Sequence, residues 1–347
     1  MTDAVHADWA LTPQGMARDV RLRWAEGVVT AVETGVAARN GDVRVGLLAP
    51  AMPNLHSHAF QRAMAGLAER RGADSESFWT WREAMYRFAL ALPPEDVEAV
   101  AAQLYVEMLE AGFSSVGEFH YLHHDREGRP YADPAEMAGR IAAAARATGI
   151  GLTLLPVFYA HSGFGGAPPG DEQRRFICDV ELYARLHEGC RRHLDGLPGA
   201  VLGVAPHSLR AVTGGELTQV MALAGAAPIH IHVAEQVKEV EDSVKATGMR
   251  PVRWLLENIG LDRRWCLIHA THMRPEETVG VARSGAVAGL CPITEANLGD
   301  GVFDLSRFTA AGGAFGVGSD SNVQIGLGDE LRMLEYSQRL AHRQRCV

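Results

Sequence analysis

From residue 47 onward the chain repeats one unit, in which a short apolar run is followed by a polar or glycine-containing loop and then by a helical pattern. Eight runs recur: LLAPAMPN (47–54), SSVGEFHY (114–121), GLTLLPVF (151–158), AVLGVAPHS (200–208), APIHIHVAE (227–235), WCLIHATH (265–272), GAVAGLCP (285–292) and AFGVGSDS (314–321). Runs this apolar have no polar face to show to water, so they read as parallel strands covered on both sides. Eight of them alternating with helices is the sequence form of a closed (β/α)8 barrel. An open doubly wound sheet is the competing arrangement, but no G-x-G-x-x-G follows any run.

The segments between the runs support the barrel. PPEDVEAVAAQLYVEMLEAG, DPAEMAGRIAAAARATG and RPEETVGVARSG each begin acidic, space their apolar residues at i, i+3 and i+4, and stop at glycine, as amphipathic helices do. Residues 1–46 differ: ARDVRLRW and EGVVTAVET alternate between polar and apolar and are separated by turns, which predicts a few antiparallel strands. The expected class is therefore α/β, a TIM-like barrel over 47–347 with the N-terminal part of a small β-sandwich over 1–46. A length of 347 residues accommodates both.

Charge narrows the partners. The formal net charge is −9, and no Lys/Arg cluster is interleaved with aromatics, which argues against nucleic acid or an anionic membrane surface as partner. There is no 18-residue apolar run, and the start MTDAVHADWALTPQG has no signal-peptide pattern, so a cytoplasmic protein is expected. Five cysteines without a C-x-x-C pair speak against a disulfide framework, and Cys266 and Cys291, inside apolar runs, read as buried small hydrophobes. Lysine occurs only at 238 and 245.

The polar residues gather where the runs end, which in a barrel is where chemistry sits. His56 and His58 follow run one, His120 and Tyr121 close run two, and His207 closes run four. His230, His232 and Glu235 belong to run five, His269 and His272 to run six, and Asp320 to run eight. His-x-His on an extended strand end lets both rings face one side and share an ion. Imidazoles plus one carboxylate, with a position left for water, match a catalytic zinc site, and ferrous iron suits the same ligands. Run four has no lysine to become a carbamylated bridge between two metals, so one divalent ion per chain is expected, held by His56, His58, His232 and Asp320. Glu235 can lean over the metal water as a proton carrier; the competing reading is a helix N-terminal acid. His269 is either a further ligand or a neighbour of the water. His120, His123, His124 and His272 have structural readings at least as good.

Taken together, HSH, HIHVAE, IHATH and GSDS resemble the amidohydrolase superfamily, in its branch of deaminases that use one metal. PNLHSHAFQRAMAG (53–66), FWTWREAMYRFA (78–89), GEFHYLHHD (117–125), APHSLRAV (205–212), CPITEANLGDG (291–301) and GSDSNVQI (318–325) narrow the resemblance to the N-formimino-L-glutamate deiminases of histidine breakdown. This implies hydrolysis of a formimino group to N-formyl-L-glutamate and ammonia, with zinc as the usual metal. It implies His56, His58, His232 and Asp320 as ligands, Glu235 as proton shuttle, and His269 as its companion, with Asp320 counted also in the catalytic set. Gln61, Arg82, Tyr121, His207 and Arg210 fall where that family contacts substrate. The expected partners are a small dicarboxylate and, as a homodimer, a second copy of the chain. Two substrate carboxylates call for fixed cations, and the planar fork of arginine suits them better than lysine. Arg82 lies among Trp79, Trp81 and Tyr86, a core-like stretch that with an arginine in it reads as a pocket wall.

Members of that superfamily continue past strand eight and return to complete the small β layer. The chain stops at Val347 soon after DELRMLEYSQRLAHRQR, so the C-terminal part of that layer is expected to be missing. Two other functions stay open: a deaminase or chlorohydrolase of nitrogen heterocycles on the same scaffold, and a barrel that has lost its chemistry.

Overall fold

The computed structural model describes residues 3–69 and 78–346, with the side chain of Trp79 also outside the described residues. Two compact units are present, Met1–Met52 and Pro53–Val347.

The first unit is a four-stranded sheet. β1 (Asp3–Thr12), β2 (Gly15–Ala25) and β3 (Val28–Glu33) form an antiparallel meander, and β4 (Val43–Leu48) joins the other edge of β1 in parallel. Ala7, Ala10 and Val20 form its small core, with Ala17, Val45 and Leu48 packed against it. The parallel strand is a departure from the expected all-antiparallel layer. It also shifts the first barrel strand: residues 47 and 48 of the run LLAPAMPN end β4, and β5 begins only at Met52 and runs to Ser57.

The second unit is an eight-position parallel barrel. β5 pairs with β6 (Phe113–His120), β6 with β7 (Gly151–Phe158), and β7 with two short pieces, β8 (Val201–Leu202) and β9 (Ala205–Pro206), which share the fourth position. The bridges Val204 to Ile229 and Ser208 to His232 pass the sheet on to β10 (Ile229–Val233). Then come β11 (Trp265–His269), β12 (Val287–Leu290) and β13 (Ala314–Val317), and the bridge Ser57 to Asp320 closes the ring. Every residue of β10 and β11 is buried, as strands covered on both faces require.

Closure is tight around β5. A Cβ at Gly117 would lie 2.6 Å from the Leu55 carbonyl oxygen, and one at Gly318 would lie 2.7 Å from the His56 nitrogen. Both neighbours of β5 therefore need glycine where they cross it.

Of the eleven α-helices among the described residues, α1 is Phe78–Ala89, α2 Pro94–Glu110, α3 Glu136–Thr148, α4 Val180–Leu194, α5 Gly214–Ala224 and α6 Val237–Thr247. They are followed by α7 Pro251–Asn258, α8 Pro275–Ser284, α9 Pro292–Leu298, α10 Leu305–Ala310 and α11 Leu327–His342. The glycine stops fall as read, with Gly149 and Gly285 capping α3 and α8 in the left-handed conformation. Among the described residues no helix is long and apolar enough to cross a membrane.

Candidate active site

Three imidazoles and one carboxylate converge at the strand ends of the barrel. His56 Nε2 lies 3.2 Å from His58 Nε2 and 3.0 Å from His232 Nε2, and Asp320 Oδ1 lies 3.3 Å from His56 and 3.2 Å from His58. His58 Nδ1 donates to the Phe119 carbonyl at 2.9 Å and His232 Nδ1 to the His207 carbonyl at 3.1 Å, which leaves their Nε2 atoms as bare lone pairs. Burial, with neighbouring imidazoles adding to it, keeps His232 well below the ordinary imidazole range, and burial pushes His56 down to about 3. Converging lone pairs repel unless a cation lies between them. A tetrahedral ion with bonds of about 2.0–2.1 Å has ligand edges of about 3.3–3.4 Å. The donor set therefore fits a divalent metal in both spacing and protonation, and among the described residues these four form one of the two buried groups able to hold an ion.

The backbone shapes the site at a cost. His269 and Asp320 sit in the left-handed region, at φ of 65° and 45°, as do Ala234, Ala270 and Asn322. Such positions each store on the order of 1–3 kcal/mol in residues with a Cβ and cluster at functional sites. A polar network holds the strained turn after β13. Asn54 Oδ1 accepts the N–H groups of His56 and Ser319, its Nδ2 donates to Ser319 Oγ at 2.7 Å, and Ser319 Oγ donates to Asn322 Oδ1 at 2.6 Å. Asn322 Nδ2 then donates to the His58 carbonyl at 3.0 Å.

Glu235 is buried, 3.7 Å from His269 Nε2. The cap on the turn before α6 is made by Glu239, whose carboxylate accepts the N–H groups of Ala234 and Glu235, so the carboxyl of Glu235 is not spent on the helix end. Burial pushes Glu235 up to about 7, with His269 opposing and Asp320 reinforcing. His269 lies outside the four-ligand group: its Nε2 is 3.8 Å from Asp320 Oδ2 and its Nδ1 3.3 Å from Glu295 Oε1. Burial disfavours its protonation, yet the carboxylates of Glu235, Glu295 and Asp320 outweigh that and raise it to about 10.

A pocket opens beside this cluster. Gln61, Arg82, Tyr121, His207 and Arg210, singled out in the sequence, all line it, as do His58, His232, Glu235, His269 and Asp320. Gln61 Nε2 donates to Tyr121 Oη at 2.7 Å, and the Arg82 guanidinium lies 5.4 Å from the Tyr86 ring centroid. Arg210 keeps a buried Nε with no hydrogen-bond partner among the described residues.

Other histidines are structural: His123 Nε2 meets the Val157 carbonyl at 2.8 Å and His124 Nε2 the Ile177 carbonyl at 2.6 Å. Sequence reasoning missed Tyr159, Phe176 and Met85 in the pocket wall, Glu295 beneath His269, and the Asn54–Ser319–Asn322 network. An acid just past run seven and the polar residues flanking HSH and GSDS were the available signals.

Two family models cover the chain: the formimidoylglutamate deiminase HutF N-terminal domain over residues 2–46 and the amidohydrolase family over residues 47–347. The chain belongs to the amidohydrolase family. Within it, a formimidoylglutamate deiminase of Pseudomonas aeruginosa is 54% identical over 344 residues, covering 99% of this chain and 76% of that protein. An 8-oxoguanine deaminase of the same organism is 26% identical over 84% of this chain and 64% of its own length. Among solved structures, an amidohydrolase from Brucella melitensis superposes with a TM-score of 0.97 at 64% identity, over 99% of this chain and 77% of that one. The fold is shared more widely. An atrazine chlorohydrolase from Arthrobacter aurescens, solved with zinc, matches at a TM-score of 0.80 and 19% identity over 98% of this chain and 77% of that one.

Proposed function

We propose that the chain hydrolyses the formimino group of N-formimino-L-glutamate to N-formyl-L-glutamate and ammonia, a cytoplasmic step of histidine degradation, with one zinc ion held by His56, His58, His232 and Asp320. The observation that carries this reading is a pair of guanidinium groups, Arg82 and Arg210, lining the same pocket as the four-ligand cluster. A neutral heterocycle has no use for two cations in its pocket wall, whereas a dicarboxylate needs both.

When bound, a divalent ion supplies Lewis acidity that brings the ionisation of water toward neutral pH. The protein's own groups do the rest. Arg82 and Arg210 clamp the two carboxylates, and Gln61, Tyr121 and His207 orient the substrate so that the formimino carbon faces the ligand cluster. Glu235 takes one proton from the attacking water and passes it to the imino nitrogen, then relays the second, released as the hydroxyl of the tetrahedral carbon becomes the formyl carbonyl, to the same nitrogen, which leaves as ammonia while the carboxylate ends as it began. His269, kept cationic by three carboxylates, stabilises the negative charge that develops at the reacting carbon's substituents. Glu295 holds that ring by its Nδ1 and serves as a positioning residue.

Ammonia release from N-formimino-L-glutamate, set against guanine and cytosine, tests the reading. Turnover of the formimino substrate alone is expected; preference for a heterocycle would overturn it.

A further inference from the structure

The only two lysines in the sequence, Lys238 and Lys245, lie on one helix, α6, at one opening. That opening is lined by Arg82, Arg210, Lys238, Asp242 and Lys245 and adjoins the site pocket, with which it shares the two arginines. The molecule as a whole carries a formal net charge of −9, so an anion approaching from a distance meets repulsion. At this opening the balance is reversed, with four cationic side chains against one carboxylate among those lining it.

The cations differ in depth. Arg82 and Arg210 reach the inner pocket, while Lys238 and Lys245 are exposed on the helix outside it. Lys238 Nζ is 2.7 Å from Asp242 Oδ2, an exposed i, i+4 pair with half of its side chain open to solvent, so Asp242 cancels part of the field at the mouth. Exposed pairs of this kind contribute little to stability. Their charges still add to the potential that an incoming ion meets.

We infer that the face of α6 bearing Lys238 and Lys245 is an electrostatic mouth that draws dicarboxylate substrate through this opening onto Arg82 and Arg210. The inference rests on the dicarboxylate reading above and adds the route and the residues that set the rate of capture. Lys238 and Lys245 act before the substrate is seated and take no part in the reaction.

The test is the ionic-strength dependence of kcat/KM for N-formimino-L-glutamate in the wild type, the double variant Lys238→Gln/Lys245→Gln, and Asp242→Asn. The double variant is expected to lose about three- to tenfold in kcat/KM at low salt, with kcat unchanged and a shallower salt dependence. Asp242→Asn is expected to move kcat/KM the other way, a gain that loss of a merely structural contact would not produce. Binding of glutarate, followed by calorimetry in the same three proteins, reads the mouth without turnover. If glutarate binding follows the mouth charge in a protein that does not release ammonia, the substrate reading fails and the mouth stands. If neither kcat/KM nor glutarate affinity responds to the charge changes, the mouth assignment is overturned.

Discussion

The backbone N–H of Asp320 donates to the carbonyl of His56 at 2.9 Å, so the candidate metal ligand last in the sequence is hung on the first. The His58 N–H in turn donates to the Asp320 carbonyl at 3.0 Å. The contact that closes the barrel and the contact that assembles the ligand cluster are thus the same pair of hydrogen bonds.

Gly318 makes that pairing possible, and its replacement should damage the site. In Gly318→Ala the new Cβ would meet the nitrogen, oxygen and Cβ of His56 at 2.7–2.9 Å, mostly backbone that cannot turn aside. A loss of about 1–3 kcal/mol is expected, together with lower metal content on elemental analysis. Gly328→Ala, with nothing within 4 Å of its Cβ, is the control. Equal melting and metal content in both variants would refute the account.

Purified protein should contain about one zinc or iron per chain, and Asp320→Ala should lower that content while Glu235→Gln leaves it intact. The Glu235 variant should nevertheless lose turnover by about 10²- to 10⁴-fold, as removal of a general acid–base group does. Normal turnover in Glu235→Gln would take the proton transfer away from this residue.

Arg82→Met and Arg210→Met should each cost about 2–5 kcal/mol in kcat/KM for the dicarboxylate substrate, because each leaves a desolvated carboxylate without its partner. An uncharged formamidine should suffer much less. Equal losses on both substrates would make the arginines structural.

Glu330 gives a further pH signature, set mainly by its burial, with Glu295 and Asp320 reinforcing it. Its buried carboxyl accepts the Ile293 N–H at 3.0 Å, and burial pushes its pKa from 4.5 up to about 8. Between those values the unfolded chain has already released the proton that the folded chain retains. Folding stability from this group therefore falls as pH rises through that window and levels off above it. Melting of Glu330→Gln should fall less steeply across the same range; an unchanged slope would exclude Glu330 as its source.

Much of this was legible from residue order alone, because buried parallel strands cannot alternate and amphipathic helices must. The run IHIHV forms β10 as five consecutive buried residues, and α3 and α8 end one residue before the glycines that marked their stops. His56, His58, His232 and Asp320 announced themselves by chemistry: few residue types bind metals, and all four stood where runs ended. What residue order could not decide was pairing between distant segments. The run at 47–54 is apolar as far as Pro53, and only its hydrogen bonds to β1 assign residues 47 and 48 to the first sheet while β5 starts at Met52. Likewise His269 looks like any other strand-end histidine in sequence. Its distance from the ligand group, its grip on Glu295 and its proximity to Glu235 are consequences of strand register and of a left-handed φ, which only the closed barrel imposes.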